Sequence, residues 1–375
     1  MDFANQTLLA PLTKGGNLPF RRLCVDFGAT VTCSEMIYAH QLIKGNRREQ
    51  ALLRHHPSEV NFGVQLAAAK PQLALEAAQM AVEAGARYVD LNCGCPIHDT
   101  VKRGMGARLL QKTRNLESIL SLMATNLKVP VTVKLRTGFK DSQLNIDETS
   151  KMAEDAGVAA ITIHGRSREQ RYTRAADWEL VGRIGAERRP VVIGNGDILT
   201  HYEAEHRKTL SGLSSVMLAR GALIKPWLFQ ELREGRELLP SAGQRIAIYR
   251  RLAGYFLDHF GNDEIGHNRS TYFLGWHFSF FSRYRPYPQG EYAQQALEHP
   301  LLQTRHDGPP ADDPLEQVLT SPDESIHRSL ANCLLTSLSD EQAVESIRNL
   351  SAETAKVGAC SSTTRERSSV TEVRG

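Results

Sequence analysis

No CxxC pair occurs among the six cysteines (Cys24, Cys33, Cys93, Cys95, Cys333 and Cys360), and no Cys/His cluster has zinc spacing. No metal site is therefore expected. The cysteines are scattered, and the opening MDFANQTLLAPL lacks a charged n-region followed by an apolar stretch. Neither a secretory leader nor a disulfide framework is expected, and the reading is a reduced, intracellular compartment. No apolar run reaches about 18 residues, so no membrane-spanning helix is expected. No GxGxxG opens a βαβ unit, so a Rossmann dinucleotide domain is not indicated. Neither sign of charge dominates: 45 Lys and Arg against 42 Asp and Glu leave +3. That balance neither demands nor excludes a nucleic-acid partner, because a basic face can be offset by acids elsewhere. What is present suits a globular protein. Hydrophobic residues are 41% and charged residues 23% of 375, enough to bury a full core. At roughly 150 residues per domain the length suggests two or three domains.

Short apolar runs alternate with helix-like segments from residue 7 to about 238. Eight strands are predicted, at Leu8–Leu12, Thr30–Cys33, Asn61–Leu66, Tyr88–Asn92, Val131–Leu135, Ala160–His164, Val191–Gly194 and Val216–Ala219. Between them, residues 73–85 (LALEAAQMAVEAG) and 146–157 (IDETSKMAEDAG) have helical spacing and end in glycine. Eight strand–helix alternations over about 240 residues are the arithmetic of an α/β fold of the (β/α)8 TIM-barrel type. A doubly wound sheet is the alternative. The barrel is favoured because polar residues recur where strands end (Gln65, Asn92, Lys134, Arg136, His164, Asn195, Asp197, Arg220), and barrel active sites lie on that face.

From about Ser241 the pattern becomes helical, with a basic stripe in QRIAIYRRLAGYFLDHFG and an aromatic-rich run at 270–284. HDGPPADDP (306–314) reads as a loop, and two acid-opened helices follow. The expected organisation is a barrel over 1–240, a smaller helical domain over 241–354 and a disordered tail over 355–375.

The sharpest chemical signal is Asp90-Leu-Asn-Cys-Gly-Cys-Pro96, a strand end running into a turn that lifts Cys95 above the barrel mouth. An unperturbed thiol is mostly protonated at neutral pH and can act as an acid. Cys93 reads instead as a buried structural cysteine. Lys134 and Arg136 alternate with apolar residues, so both project to one side, and an inward lysine calls for something anionic. His164 ends the sixth predicted strand and can donate to a phosphate, a ring oxygen or a carbonyl. Gly194-Asn-Gly-Asp197 and Ala219-Arg-Gly221 end the seventh and eighth, where barrels often bind phosphate. Gln65 offers an amide suited to a ring edge. A phosphate cradle, a cation, an amide and a proton donor together suit FMN with an unsaturated substrate above it.

These residues resemble the tRNA-dihydrouridine synthase family. The resemblance runs through LAPLTKGGNLPFRRLC, GVQLAAAKP, VDLNCGCP, RGMGARLL, VTVKLRTG, TIHGRSREQRYTRAADW, VIGNGDI and ARGALIKPWLF, about residues 7–235. NCGCP and the aromatic helix ending in SRY look most like the eukaryotic branch acting on position 47 of tRNA. The resemblance implies an FMN barrel followed by a helical tRNA-recognition domain, reduction of the uracil C5=C6 bond, and NADPH as reductant. It implies Cys95 as the general acid that protonates C5. It implies flavin contacts at Pro11, Leu12, Gln65, Lys134, His164, Asn195, Gly196, Asp197, Ala219, Arg220 and Gly221, and uracil or RNA contacts at Asn92, Arg136, Arg166 and Tyr172. A monomer is expected, in the cytoplasm and also in the nucleus. Two features depart from the family pattern. Leu12 stands where many relatives have methionine, and the chain reaches its first strand with no Cys3His zinc finger ahead of it.

RNA contacts are also expected from the acid-free stretch 265–290, with Arg269, Arg283 and Arg285 among aromatics, and from Lys102, Arg103, Arg168 and Arg171 at the barrel mouth. Most of those aromatics are expected in a helix core. Two competing readings stay open. One is a flavin barrel acting on a free pyrimidine or other small molecule. The other is an RNA-binding protein that keeps the barrel without turnover.

Overall fold

The computed structural model describes residues 1–304 and 312–352. Eight parallel strands carry the fold: β1 (Thr7–Leu9), β2 (Thr32–Cys33), β3 (Phe62–Ala67), β4 (Tyr88–Asn92), β5 (Val131–Arg136), β6 (Ala160–His164), β7 (Val191–Asn195) and β8 (Ser215–Leu218). Neighbouring strands pair in the order β1-β8-β7-β6-β5-β4-β3-β2. The ends of that row meet: Leu8 bridges Val31 in parallel, and the Leu9 N–H donates to the Val31 carbonyl at 3.0 Å. The strands therefore close into a barrel with every connection parallel, which requires a crossover after each strand.

All eight predicted strands are present, Tyr88–Asn92 and Ala160–His164 with the predicted bounds and the other six with shifted ends. β1 stops at Leu9, ahead of Pro11, which has no N–H to give the ladder. The helix predicted over 73–85 spans Pro71–Glu83, because proline presets the first helical turn. The helix predicted over 146–157 spans Ile146–Asp155, with Asp147 and Glu148 in its first turn. Sequence reading did not foresee two small additions: a two-residue strand, Ile37–Tyr38, beside β3, and a hairpin of Gly138–Lys140 with Gln143–Leu144 after β5.

The barrel interior is packed. Phe3, Leu8, Cys33, Tyr88, Ile193 and Met217 form one buried cluster within it. Tyr88 needs room there: a Cβ on Gly63 would fall 2.2 Å from its ring. Nearer the mouth the inward residues turn polar. Strand register sets Gln65 beside Asp90 and Thr132, then Asn92 beside Lys134 and Thr162, then Arg136 beside His164 and Asn195.

Two compact units result. The first contains Met1–Leu238 and takes in the segment that begins at Pro286, which includes the helix Gln289–Glu298. Tyr202 donates to the Tyr287 carbonyl at 3.2 Å, and Glu203 accepts the Leu301 N–H at 3.0 Å. The second contains Leu239–Arg285 and the helices after residue 312. Ala242–Phe260, Glu264–Phe281 and Glu324–Thr336 are its main helices. Ser241 and Gln244 form a capping box at the start of the first. Ile246, Leu252, Phe256, Leu274, Phe278 and Leu330 are buried in it. No helix among the described residues is long and apolar enough to cross a membrane. The predicted tail and most of the predicted loop at 306–314 lie outside the described residues.

Candidate active site

A hydrogen-bonded chain crosses three strands at the barrel mouth. Thr132 Oγ1 donates to Asp90 Oδ1 at 2.6 Å, Gln65 Nε2 donates to Asp90 Oδ2 at 2.7 Å, and Asn92 Nδ2 donates to Gln65 Oε1 at 2.7 Å. Burial pushes the Asp90 carboxyl up from its ordinary value, and the Thr132 and Gln65 donors pull it back. The chain ends on the cysteine loop: Asn92 Oδ1 accepts the N–H of Cys95 at 2.8 Å and of Gly94 at 3.2 Å.

Cys95 is part-exposed, and its Sγ reaches Thr100 Oγ1 at 3.7 Å; Thr100 in turn bonds Tyr38 Oη at 2.8 Å. The loop is closed from the other side by the Ala107 N–H, which donates to the Cys95 carbonyl at 3.1 Å. Gly106 makes this close approach feasible. Its φ is +59°, and a Cβ there would sit 2.8 Å from the Cys95 carbonyl oxygen and 2.9 Å from Thr100 Cγ2. Cys93, by contrast, is fully buried, and burial raises its thiol well above its ordinary value.

Lys134 spans the mouth from β5 to β7. Its Nζ donates to Asn195 Oδ1 at 2.9 Å, and Asn195 Nδ2 donates to the Met217 carbonyl on β8 at 2.8 Å. Burial first, then the neighbouring Arg136, pushes the Lys134 ammonium down to about 7. An anion placed beside it would restore the charged form. Burial and four surrounding cations hold His164 well below its ordinary value, so the ring is neutral.

A cavity of about 70 Å³ lies at the ends of β6, β7 and β8, lined by His164, Arg166, Asn195 to Asp197, Ala219 and Arg220 among others. Asp197 is shared by two cations: Arg166 Nη2 donates to its Oδ2 at 2.5 Å, and Arg220 Nη2 lies 3.4 Å from Oδ1. Two arginines on one buried carboxylate leave a positive surplus, which suits a phosphate. Tyr172 covers this corner, with its ring 3.9 Å from the Arg220 guanidinium carbon and 5.5 Å from that of Arg166.

The predicted residues thus divide. Leu12, His164, Asn195, Gly196, Asp197, Ala219, Arg220, Arg166 and Tyr172 line one cavity. Gly221 is buried at the start of the helix Arg220–Ile224, and Pro11 lies in the loop after β1. Gln65 has its amide bonded on both ends, to Asp90 and Asn92. Arg136 staples two loops, donating to the Gly94 carbonyl at 2.8 Å and the Ser167 carbonyl at 2.9 Å. Arg166 is fully buried and also donates to the Arg174 carbonyl at 2.7 Å. Asp90, Thr132, Thr100 and Tyr38 were missed. For Asp90 the signal was available, since it alternates with Asn92 on one strand and so faces the same way. In the second unit Phe278, Phe281 and Tyr284 are buried, while Tyr272, Arg269 and Arg283 are exposed. Among the described residues no group of three His, Cys, Asp or Glu side chains could hold a metal ion.

The family described as "Dihydrouridine synthase (Dus)" matches residues 8–289. A Xenopus tropicalis protein named tRNA-dihydrouridine(47) synthase [NAD(P)(+)]-like is 42% identical over 299 residues, covering 79% of this chain and 47% of its own length. Proteins of the same name from Homo sapiens and Oryza sativa are 42% and 40% identical, each covering 76% of this chain and respectively 44% and 42% of their own length. The chain thus spans less than half the length of these relatives. The matched stretch holds the barrel from Leu8 in β1 through β8, with the Cys95 loop and the arginine-lined cavity inside it, and on that match the chain belongs to the dihydrouridine synthase family.

Proposed function

We propose that this chain reduces the C5=C6 bond of uridine in tRNA to dihydrouridine, with FMN as its flavin, NADPH as reductant and position 47 as target. The observation that carries the reading is the pairing of an arginine-lined cavity at β6–β8 with a part-exposed cysteine that Asn92 pins by its backbone. Relatives named for NAD(P) and for position 47 of tRNA support the nicotinamide reductant and the target.

The donor set fits the flavin. Arg220, the neighbouring Asp197-bound Arg166 and the backbone at Gly196 would hold its phosphate, and Lys134 would lie against its electron-rich ring. When bound, FMN supplies a hydride for C6, which the conjugated C4 carbonyl makes electrophilic. Cys95 gives the S–H proton to C5, and the two transfers together add H2 across the bond. Asn92 fixes the loop so that the thiol is presented in one place, and Arg136 holds the Gly94 side of the same loop. Arg136 and Tyr172 would bound the uracil, and the half-buried Arg168 and the exposed Arg171 would carry flanking phosphates. The chain would work as a monomer where tRNA is matured, in the cytoplasm or nucleus.

The test is spectroscopic. The purified chain is expected to be yellow, to bleach with NADPH, to recolour when unmodified tRNA is added, and to leave dihydrouridine at position 47. A yellow chain that bleaches but ignores tRNA would instead favour a free pyrimidine as substrate.

A further inference from the structure

A second, larger cavity lies beside the cysteine loop on the same barrel face. Its volume is about 370 Å³, toward the lower end of the roughly 300–1,000 Å³ of small-molecule sites. Three segments build it: the end of β3 running through Ala67, Ala68 and Ala69 into the helix Pro71–Glu83; Ala39 and His40, which follow the short strand Ile37–Tyr38; and the return of the cysteine loop through Arg103 and Met105. Its wall is small and apolar, with three successive alanines, Leu73 and Met105. Its polar rim has one sign. His40, Lys70 and Arg103 line it and no acid does. Lys70 and Arg103 are exposed, and among the described residues neither is paired with a carboxylate. Arg103 Nη1 instead meets His40 Nε2 at 3.3 Å. Burial and the nearby Arg103 and Lys44 lower the His40 pKa, so the ring is neutral and its edge can exchange hydrogen bonds with a ligand.

We propose that this cavity is a nucleotide subsite, taking one base and its phosphate from the RNA strand next to the target uridine. An apolar wall of small side chains suits a base face, and two cations without carboxylate partners suit its phosphate. The position fits. Tyr38, adjoining Ala39, is bonded to Thr100, which is bonded to Cys95, so two side chains link the cavity rim to the thiol. The inference rests on the proposed RNA substrate. The adenosine half of NADPH carries the same chemistry, so the test separates the two sources.

The experiment uses the full chain and the variants Lys70→Ala, Arg103→Ala and Leu73→Trp, with a fluorescent unmodified tRNA transcript as the probe. Binding is titrated across salt, and flavin reduction is titrated with NADPH. Lys70→Ala and Arg103→Ala should each weaken RNA binding and lower the salt slope, by about one between them. Leu73→Trp, which fills the cavity with an indole, should weaken binding roughly fivefold or more with the slope unchanged. The NADPH dependence of flavin reduction should not move in any of them. Unchanged RNA affinity in the two surface variants, a shift in the NADPH dependence instead, or no RNA binding by the parent chain would each overturn the subsite. Should the parent bind RNA with these sensitivities yet form no dihydrouridine, the proposed reaction falls and the subsite stands. Normal dihydrouridine formation with affinity indifferent to all three variants sinks the subsite alone.

Discussion

Asn92 holds Cys95 by its backbone: the amide oxygen accepts the Cys95 N–H at 2.8 Å, while the amide nitrogen donates to Gln65 at 2.7 Å. The thiol's position is thus tied to the polar chain inside the barrel and not to the loop alone. Cys95→Ala leaves that scaffold whole. It should keep FMN and its bleaching by NADPH, and slow dihydrouridine formation about a hundred- to ten-thousand-fold in single turnover. Asn92→Ala should slow the same step with the thiol still present, and also lower stability by about 1–3 kcal/mol, because two loop N–H groups and Gln65 Oε1 lose their partner. Wild-type turnover in Cys95→Ala would remove the thiol from its role.

Gly106→Ala tests the same loop from its other wall. The left-handed backbone at φ +59° costs an alanine about 1–2 kcal/mol, and its methyl would strike the Cys95 carbonyl and Thr100. Denaturant melts should show that loss. Turnover should fall further than the stability change explains, with the visible flavin spectrum unaltered. A variant with full turnover would show that the loop tolerates displacement of Cys95.

Much of this was legible because a barrel strand alternates sides. Asn92, Lys134, Arg136 and His164 could each be assigned to the strand-end face from period two and the glycine-marked turns that follow. What each side chain does there was not legible. Gln65 looks like a free amide in sequence, and only the register that sets it beside Asp90 shows both of its ends engaged. Arg166 and Arg136 look alike as basic residues after strands. One is locked on a buried Asp197 and the other on two carbonyls, because loops far apart in sequence close over them. The return of Pro286 and the helix Gln289–Glu298 to the barrel unit is likewise a long-range contact, through Tyr202 and Tyr287, that no local pattern announces.

Lys134 predicts a pH dependence. Its folded value, about 7, lies below its unfolded value of 10.5, so the unfolded chain holds the extra proton between those limits. The Lys134 contribution to apoprotein stability should therefore rise with pH from about 7 to 10.5, and be least favourable below 7. The check is the difference in urea midpoint between the parent and Lys134→Met, followed across that window. Loading with reduced FMN, whose ring is anionic near pH 8, should also take up a proton in the parent, as that charge restores the ammonium, and not in the variant. Calorimetry in buffers of different ionisation enthalpy measures it, and equal proton uptake in both proteins would place the titrating group elsewhere.

Arg220 and Arg166 share Asp197, but they should fail differently. Arg166 is fully buried with its carboxylate, so Arg166→Ala leaves Asp197 buried with the Ala176 N–H at 2.8 Å and Arg220 at the longer 3.4 Å, and should cost about 3–5 kcal/mol of stability. The Arg220 side chain keeps a fifth of its surface in solvent and meets Asp197 at the longer distance, so Arg220→Ala should fold. Its loss should appear in ligand choice instead. Charge-assisted hydrogen bonds to a phosphate are worth about 1.5–3 kcal/mol each, so the parent should prefer FMN over riboflavin by roughly tenfold or more. Arg220→Ala should erase most of that preference while leaving riboflavin affinity near the parent's, since riboflavin has the ring and no phosphate. Fluorescence titration of the apoprotein with both flavins reads the ratio directly. A ratio unchanged by Arg220→Ala would mean that the cavity at β6–β8 does not hold the phosphate, and that the positive surplus around Asp197 serves another anion.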